Sequence, residues 1–232
     1  MKAFVIYLSK IPSSARSGKR VMHELLKYDI DATLWEGTYG DRAVDIFEEE
    51  GRSLQSTSFK GNEVDDEYRE LCSRPGVMGC FHSHYRLWKK CLDLGEPILI
   101  FEDDVIFERG YMPVEWEDVL LVATGKSVHE KEFYSTKLYS PEGEPEAVKF
   151  KGKVMPGAVG YGLTPAGAKK LVEHYKTHYL PADNAMNMSV VSLQCHNYLM
   201  GRAATDIDGK KSLTKTRMWS KLRADSANKS RS

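Results

Sequence analysis

The feature of this sequence that most restricts its fold is an apolar run, residues 97–101, that ends directly in three acids: Glu102, Asp103 and Asp104. Such a run is typical of a buried strand, and open α/β folds place their ligands at the carboxyl ends of their strands. Neighbouring carboxylates repel one another unless a proton or a cation joins them. Because Mg²⁺ and Mn²⁺ prefer hard oxygen ligands, the three acids suit a divalent cation, which in turn can hold a diphosphate.

The same acids also fit a solvated strand end or the cap of a following helix. In the functional interpretation, Asp104, together with Asp103, reaches the ion or a sugar. Side chains alternate between the two faces of a strand, so Glu102 and Asp104 share a face if the chain stays extended. The division of roles among the three acids stays open.

Apolar patterning predicts an α/β order from the start of the chain. Residues 3–8 suit a buried strand, residues 16–28 an amphipathic helix and residues 32–35 a second strand. This order opens many nucleotide-binding α/β domains. Further along, we predict loops and short helices over 37–75, a helix from Pro75 to Gly95, a hairpin joining 133–139 to 147–150, a glycine-rich strand over 154–163, and a helix from Thr164 to about Tyr175.

Composition predicts one catalytic domain over residues 1–208, because 232 residues with 41% hydrophobic content can bury one sizeable core. No apolar stretch approaches the about 20 residues of a membrane span, and the four cysteines form no CxxC pair. We therefore expect reduced thiols and a soluble, cytoplasmic protein. Residues 209–232 form a basic tail with eight Lys or Arg and one acid. The tail is either a solvated end or an arm that binds nucleic acid or an anionic surface such as the inner membrane.

Cys80 and His84 are one helical turn apart and can share a metal ion. Both residues also fall on the apolar face predicted for their helix, whereas His82 and Arg86 fall elsewhere. Further ligands would have to come from distant residues, so we interpret the pair as a packed thiol and a hydrogen-bonded core histidine. The start of this helix, near Gly76 or Gly79, directs free N–H groups outward and favours a nearby anion.

Three other features have both a functional and a structural interpretation. Residues 13–20 are rich in Ser, Arg and Lys and suit either phosphate contact or a polar loop, although they lack the GxxxxGK[ST] pattern of a P-loop. Asp183 is either a turn residue or a carboxylate that accepts a proton from an acceptor hydroxyl. His196 is either a metal or phosphate ligand or a structural histidine.

Taken together, residues 75–104 resemble glycosyltransferase family 25, the lipooligosaccharide-type β-galactosyltransferases that are also related to collagen galactosyltransferases. The family pattern is similar to GxxGCxxSHxxxW followed by an apolar run and EDD, and this chain has PGVMGCFHSH, Trp88 and ILIFEDD in the same order. Residues 2–8, 35–37, 157–171 and 181–183 also resemble family segments. One departure is Tyr7, which stands where the family has Asn. The arginine expected soon after it falls in a longer loop here, where either Arg16 or Arg20 can take its role.

This resemblance implies a GT-A type α/β domain with a mixed, mostly parallel sheet flanked by helices. It also implies a nucleotide-sugar donor, typically UDP-linked, a Mn²⁺ or Mg²⁺ ion, and transfer with inversion. We assign Asp183 as catalytic base and Asp104, Asp103 and His196 as metal ligands. The residues assigned to the donor are Leu8, Arg16, Arg20, Gly79, Ser83, His84, Glu102 and Asp103.

The acceptor is less defined than the donor. A glycan such as a lipooligosaccharide is the first hypothesis, and a modified DNA base is the second, because a basic tail attracts phosphates. A third hypothesis is a nucleotide-sugar-binding protein that has lost catalysis.

Overall fold

The computed structural model describes residues 1–56, 65–124, 144–150 and 153–204. Within these ranges the strands are β1 Lys2–Tyr7, β2 Asp31–Glu36, β3 Ser53–Leu54, β4 Ile98–Glu102, β5 Val105–Phe107, β6 Val119–Thr124, β7 Ala147–Lys149, β8 Gly160–Leu163, β9 His178–Tyr179, β10 Leu193–His196 and β11 Gly201–Ala203. The helices are α1 Pro12–Lys27, α2 Gly40–Glu49, α3 Asp66–Cys72, α4 Pro75–Leu94, α5 Pro165–His174 and α6 Ala182–Ala185.

Nine of the described strands form one sheet in the order β2-β1-β4-β8-β6-β10-β7, with β11 paired to β5 and β6. β2 and β4 are parallel to β1, and β10 and β11 are parallel to β6. β8 is antiparallel to both of its neighbours, β4 and β6, so those two strands share one direction. The predicted fold class is confirmed: a mixed, mostly parallel sheet flanked by helices, consistent with a GT-A type domain.

Alternating side chains of β1 and β4 supply two separate cores, one on each face of the sheet. Val5, Leu99 and Phe101 pack with Val21 and Leu25 of α1 on one face. On the other face, residues of α2, α4 and α5 surround an aromatic cluster that includes Phe81, Trp88, Tyr161 and Tyr175. Each strand of this central pair is therefore covered on both sides, as the continuous apolar runs in the sequence predict.

Helix α1 begins at Pro12 and not at residue 16, so the prediction that its first residues form a polar loop is wrong. Proline at the first helical position is favourable because its missing N–H has no partner there. Ile11 precedes the helix and provides no side-chain cap, whereas Ser14 accepts a hydrogen bond from the Leu8 N–H at 2.8 Å. The basic residues of this segment therefore lie on a helix.

Helix α4 ends at Gly95, whose φ of 65° is the left-handed conformation that glycine adopts at low cost. The predicted assignment of His82 to a face outside the core is wrong, because His82 is buried with an exposure of 8%. Its Nδ1 lies 2.8 Å from the Thr38 hydroxyl, and its ring packs edge-on against Phe47. Helix α4 is thus enclosed by both the sheet and α2.

The later elements agree in part with the sequence predictions. Helix α5 is capped by Thr164, whose hydroxyl accepts from the Gly167 N–H at 3.1 Å. The glycine-rich strand is shorter than predicted and covers only Gly160–Leu163, while Val154 makes an isolated bridge with Asn187. Residues 147–149 pair antiparallel with β10.

Two predictions fall partly or wholly outside the described residues. They are the first arm of the hairpin, residues 133–139, and the basic tail, residues 209–232. Within the described part of the chain, no helix has the length and the apolar character that crossing a membrane requires.

Candidate active site at the carboxyl edge of the sheet

The parallel pairing of β1, β2 and β4 brings the carboxyl ends of these strands to one edge of the sheet. Ile6 is in register with Glu102, and Tyr7 is in register with Glu36. The acids that follow β4 therefore lie beside the polar loop that follows β1. This edge is where open α/β sheets bind their ligands.

Glu102 is surrounded by two side chains from helix α4. Its Oε1 lies 3.7 Å from the Cys80 Sγ and 3.4 Å from the His84 Nε2. Burial raises the pKa of the Cys80 thiol well above its usual range, and the charges of Glu102, Asp183 and Asp104 add to that effect. The thiol is therefore protonated and donates its S–H to Glu102.

A hydrogen-bonded chain orients His84 from the other side of its ring. The Nδ1 of His84 lies 2.8 Å from the Tyr161 hydroxyl, and the Trp88 indole N–H donates to the same hydroxyl at 2.9 Å. Because the Tyr161 oxygen accepts from Trp88, its O–H can donate to Nδ1, which leaves the proton of the ring on Nε2 and facing Glu102. The side chains of His84, Tyr161 and Trp88 are all buried.

Asp103 points toward helix α1. The Ser14 hydroxyl hydrogen-bonds to its carboxylate and Arg20 lies close enough to act on it electrostatically. Burial is the dominant influence and raises the pKa of Asp103 to about 6, with the charge of Glu102 acting in the same direction. Arg20 itself donates to the Val105 carbonyl at 2.6 Å. Arg20 and Asp103, both predicted to bind the donor, therefore lie near each other.

Asp104 lies in the turn between β4 and β5 and is half-buried. Its backbone carbonyl accepts from the Ala204 N–H at 2.6 Å. The chain after β4 is therefore a turn at Asp103 and Asp104 and is not extended. The alternation of side chains between the two faces of a strand does not apply to these residues, so it does not show which of them lies on the same side as Glu102.

Asp183 comes to the same region from the short helix α6. Its Oδ1 accepts from the Asn184 N–H at 3.0 Å, and the Asn184 side chain in turn donates to the Tyr68 hydroxyl. The pKa of Asp183 is raised to about 6, mainly by burial and also by the nearby charge of Glu102, while the hydrogen bond from the Asn184 N–H and the nearby His84 act in the opposite direction. A carboxylate with such a pKa is suited to general-base chemistry near neutral pH.

A group of polar residues follows the ends of β1 and β2, and the sequence analysis does not assign it to the site. It consists of Ser9, Lys10, Glu36 and Tyr39. Glu36 Oε1 accepts from the Ser9 N–H at 3.0 Å and from the Tyr39 hydroxyl at 2.9 Å. Burial opposes ionisation of Glu36, but these hydrogen bonds prevail and lower its pKa. The Lys10 ammonium lies 5.4 Å from the centre of the Tyr39 ring, and the resemblance of residues 35–37 to the family was the available signal.

Four of the residues predicted to bind the donor face solvent or make contacts within the protein. Leu8 offers its N–H to Ser14, and Arg16 lies exposed on α1. Gly79 is inside α4, where a Cβ would lie 2.6 Å from the Thr38 carbonyl oxygen. Ser83 donates to the Gly79 carbonyl at 2.7 Å and accepts from the Thr38 N–H at 2.8 Å. Gly79 and Ser83 therefore hold the loop after β2 against α4.

His196 is buried at the end of β10, and its two ring nitrogens both face backbone groups. Nδ1 accepts from the Tyr198 N–H at 2.9 Å, and Nε2 lies 2.7 Å from the Met112 carbonyl oxygen, to which it must donate. In this conformation His196 offers no nitrogen to a metal ion. The structural interpretation of this histidine explains its contacts.

Within the described ranges, one group of three side chains can hold a metal ion. It consists of Cys80, His84 and Glu102, whose ligand atoms all lie within 4.8 Å of one another. Asp103 and Asp104 follow Glu102 in the turn between β4 and β5 and are not part of this group. The carboxylates outnumber the guanidinium of Arg20 at this edge, and such an excess of negative charge fits a bound divalent cation.

Known proteins of one family are similar in sequence to much of this chain. A sequence profile of Glycosyltransferase family 25 (LPS biosynthesis protein) matches residues 19–186. The chain is 33% identical over 167 residues to the rat protein named "Probable inactive glycosyltransferase 25 family member 3", and 30% identical over 190 residues to the human "Inactive glycosyltransferase 25 family member 3". These alignments cover 66% of this chain but 28% and 31% of the two relatives.

A further relative is human "Procollagen galactosyltransferase 2", 33% identical over 99 residues, which are 40% of this chain and 14% of that protein. The chain thus spans less than a third of the length of these three curated relatives. The profile match alone covers more than half of the chain and includes α4, β4 and Asp183. The chain belongs to glycosyltransferase family 25.

Proposed function

We propose that this protein is an inverting glycosyltransferase that moves a sugar from a nucleotide donor, most simply a UDP-sugar, to an acceptor hydroxyl. The observation that carries the proposal is the grouping of carboxylates at one edge of the sheet: Glu102 ends β4, Asp103 and Asp104 follow in the turn, and Asp183 is close enough to Glu102 for the two charges to interact. Membership of the family supports sugar transfer in general. The donor, the metal and the acceptor are inferred from the chemistry of the site.

The acids after β4 are our candidates for the diphosphate end of the donor. Asp103 and Asp104 would hold a Mn²⁺ or Mg²⁺ ion, which supplies Lewis-acid stabilisation of the leaving diphosphate worth several kcal/mol. Arg20 lies beside Asp103 and would orient or neutralise a phosphate oxygen. The Ser14 hydroxyl fixes the Asp103 carboxylate in place and also accepts from the Leu8 N–H.

Asp183 is our candidate for the catalytic base. Inversion requires the acceptor hydroxyl to attack from the face of the sugar opposite the nucleotide, and removal of its proton by a positioned carboxylate contributes roughly 10²- to 10⁴-fold. With a pKa raised to about 6, mainly by burial, Asp183 is ionised at neutral pH and yet basic enough to accept a proton. Its hydrogen bond from the Asn184 N–H fixes the direction of the carboxylate.

The acceptor that we favour is a glycan, with the cytoplasmic face of a membrane as the place of reaction. A competing function is a nucleotide-sugar-binding protein without turnover, which the names of two relatives favour. The grouping of Glu102, Asp104 and Asp183 argues for activity, since a binding protein has no need of a base.

One experiment separates the two functions. The purified protein is incubated with a panel of nucleotide-sugars and Mn²⁺, and released nucleotide is measured with and without glycan acceptors. We expect one donor to be turned over by the wild-type protein and not by Asp183→Asn. Donor binding without any nucleotide release by the wild-type protein would favour the binding function.

A further inference from the structure

We propose that Cys80, His84 and Glu102 form a binding site for a soft divalent cation, best matched by Zn²⁺, that is separate from the oxygen-rich site of Asp103 and Asp104. Cation binding at this site does not require the protein to transfer a sugar, because the three ligands are positioned by α4 and by the end of β4. It would be a second cation site in the domain, with a different metal preference from the first.

The distances between the ligand atoms fit tetrahedral coordination. Zinc bonds of roughly 2.3 Å to sulfur, 2.0 Å to nitrogen and 2.1 Å to oxygen place the S and O atoms about 3.6 Å apart, and the N and O atoms about 3.4 Å apart. The observed separations are 3.7 Å from Cys80 Sγ to Glu102 Oε1 and 3.4 Å from His84 Nε2 to the same oxygen. The third pair, Cys80 Sγ and His84 Nε2, lies within 4.8 Å, so these two side chains would close on a cation that replaces the two protons of these contacts.

The protein scaffold around the three ligands is rigid and comes from two buried elements. Cys80 and His84 are one turn apart on α4, so their side chains lie on the same face. Glu102 is the last residue of β4, which pairs on both sides, with β1 and β8. Sites built on packed helices and strands hold their ligands more accurately than sites built on loops.

Charge also favours this site for a divalent cation. A thiolate at Cys80 and a carboxylate at Glu102 together carry two negative charges, which a divalent cation neutralises. The thiol proton leaves to solvent on binding, since the thiolate is the form that binds metal. A thiolate and an imidazole are ligands that suit zinc, whereas Mg²⁺ and Mn²⁺ prefer oxygen alone.

Tyr161 and Trp88 would serve as the supporting groups of the site. Coordination through the His84 Nε2 requires the proton of the ring to be on Nδ1, where it faces the Tyr161 oxygen at 2.8 Å. That oxygen has two lone pairs, one of which accepts from Trp88. Such partners of a metal-bound histidine commonly change metal affinity by 10- to 100-fold when they are removed. Three protein ligands leave the fourth position for water or a substrate oxygen.

The test uses Co²⁺ as a spectroscopic substitute for Zn²⁺ on the full chain after chelator treatment. We expect Co²⁺ binding to produce a sulfur-to-cobalt charge-transfer band that saturates at one equivalent of the sulfur-bound ion and that Zn²⁺ abolishes by displacement. Cys80→Ser should remove the band, and Cys91→Ser, which alters a second, buried thiol of the same helix, should keep it. Tyr161→Phe should keep the band but weaken Co²⁺ binding by about 10- to 100-fold.

The wild-type protein alone can overturn the proposal, even if a variant fails to fold. Absence of a charge-transfer band, or a band of equal strength in a folded Cys80→Ser protein, would exclude Cys80 as a ligand. Asp104→Ala distinguishes the two sites: it should retain the cobalt band while it loses sugar transfer. Loss of transfer together with the band would mean that a single cation site exists, and would refute the separate site.

Discussion

The most informative single substitution is Asp183→Asn, because it should raise stability while it lowers activity. The pKa of Asp183 moves from 3.8 to about 6 on folding, mainly because burial disfavours its charge. Two pH units correspond to about 3 kcal/mol, and relaxation of the site reduces this to about 1–2 kcal/mol. The neutral amide removes the cost of a buried charge, and its oxygen can still accept from the Asn184 N–H.

The pH dependence has a definite sign. The pKa of Asp183 is higher in the folded state than in the unfolded state, so folding favours its neutral form. The folded protein is therefore not destabilised by this group below the unfolded pKa of about 4, and it loses that stability as the pH rises through about 6. Asparagine does not titrate. The variant should therefore match the wild type near pH 4 and exceed it in unfolding free energy by about 1–2 kcal/mol above pH 7.

Urea denaturation of both proteins from pH 4 to pH 8, in chelator so that no cation neutralises the acids, measures this difference. The measurement at pH 4 is the internal control, since the charge is absent from both proteins there. A constant difference across the range, or a variant that is less stable at pH 8, would refute the account of Asp183 as a carboxylate destabilised by burial.

Three further predictions concern the cation site, the packing of α4 and the tail. Asp104→Ala should abolish sugar transfer without change in the circular dichroism spectrum; transfer that persists in chelator would exclude the metal role. Gly79→Ala should lower the free energy of unfolding by about 1–3 kcal/mol, because the added Cβ would lie 2.6 Å from the Thr38 carbonyl oxygen if the backbone did not move. Urea denaturation measures this change, and an unchanged midpoint would show that α4 can shift. Deletion of residues 209–232 should weaken binding to an anionic acceptor at low salt and have less effect at high salt; equal affinities at every salt concentration would remove the tail as a binding arm.

Local patterns were sufficient to predict the elements that hold the site. The apolar runs before Leu8 and before Glu102 became neighbouring parallel strands, and Thr164 caps α5 through its hydroxyl. These features depend on residues close together in the sequence. The start of α1 was missed because Ile11 gives no polar cap, although Pro12 was a usable signal for a first helical turn.

The chemistry of the site depends on pairs that are distant in the sequence. Glu102 meets Cys80 and His84 only because β4 packs against α4, and His84 meets Tyr161 across 77 residues. No periodicity in a single chain encodes such a pair. The same limit explains why Cys80 and His84 were interpreted without a third ligand, and why the backbone partners of His196 were not foreseen.

The central claim is that this domain turns over a nucleotide-sugar with Asp183 as base. Its most direct test is release of nucleotide from a panel of UDP-sugars with Mn²⁺ and a glycan acceptor, by the wild-type protein and by Asp183→Asn. The account predicts release by the wild type and a rate at least 10²-fold lower in the variant, at similar donor affinity. Donor binding with no release by the wild type, or equal rates in both proteins, would contradict it.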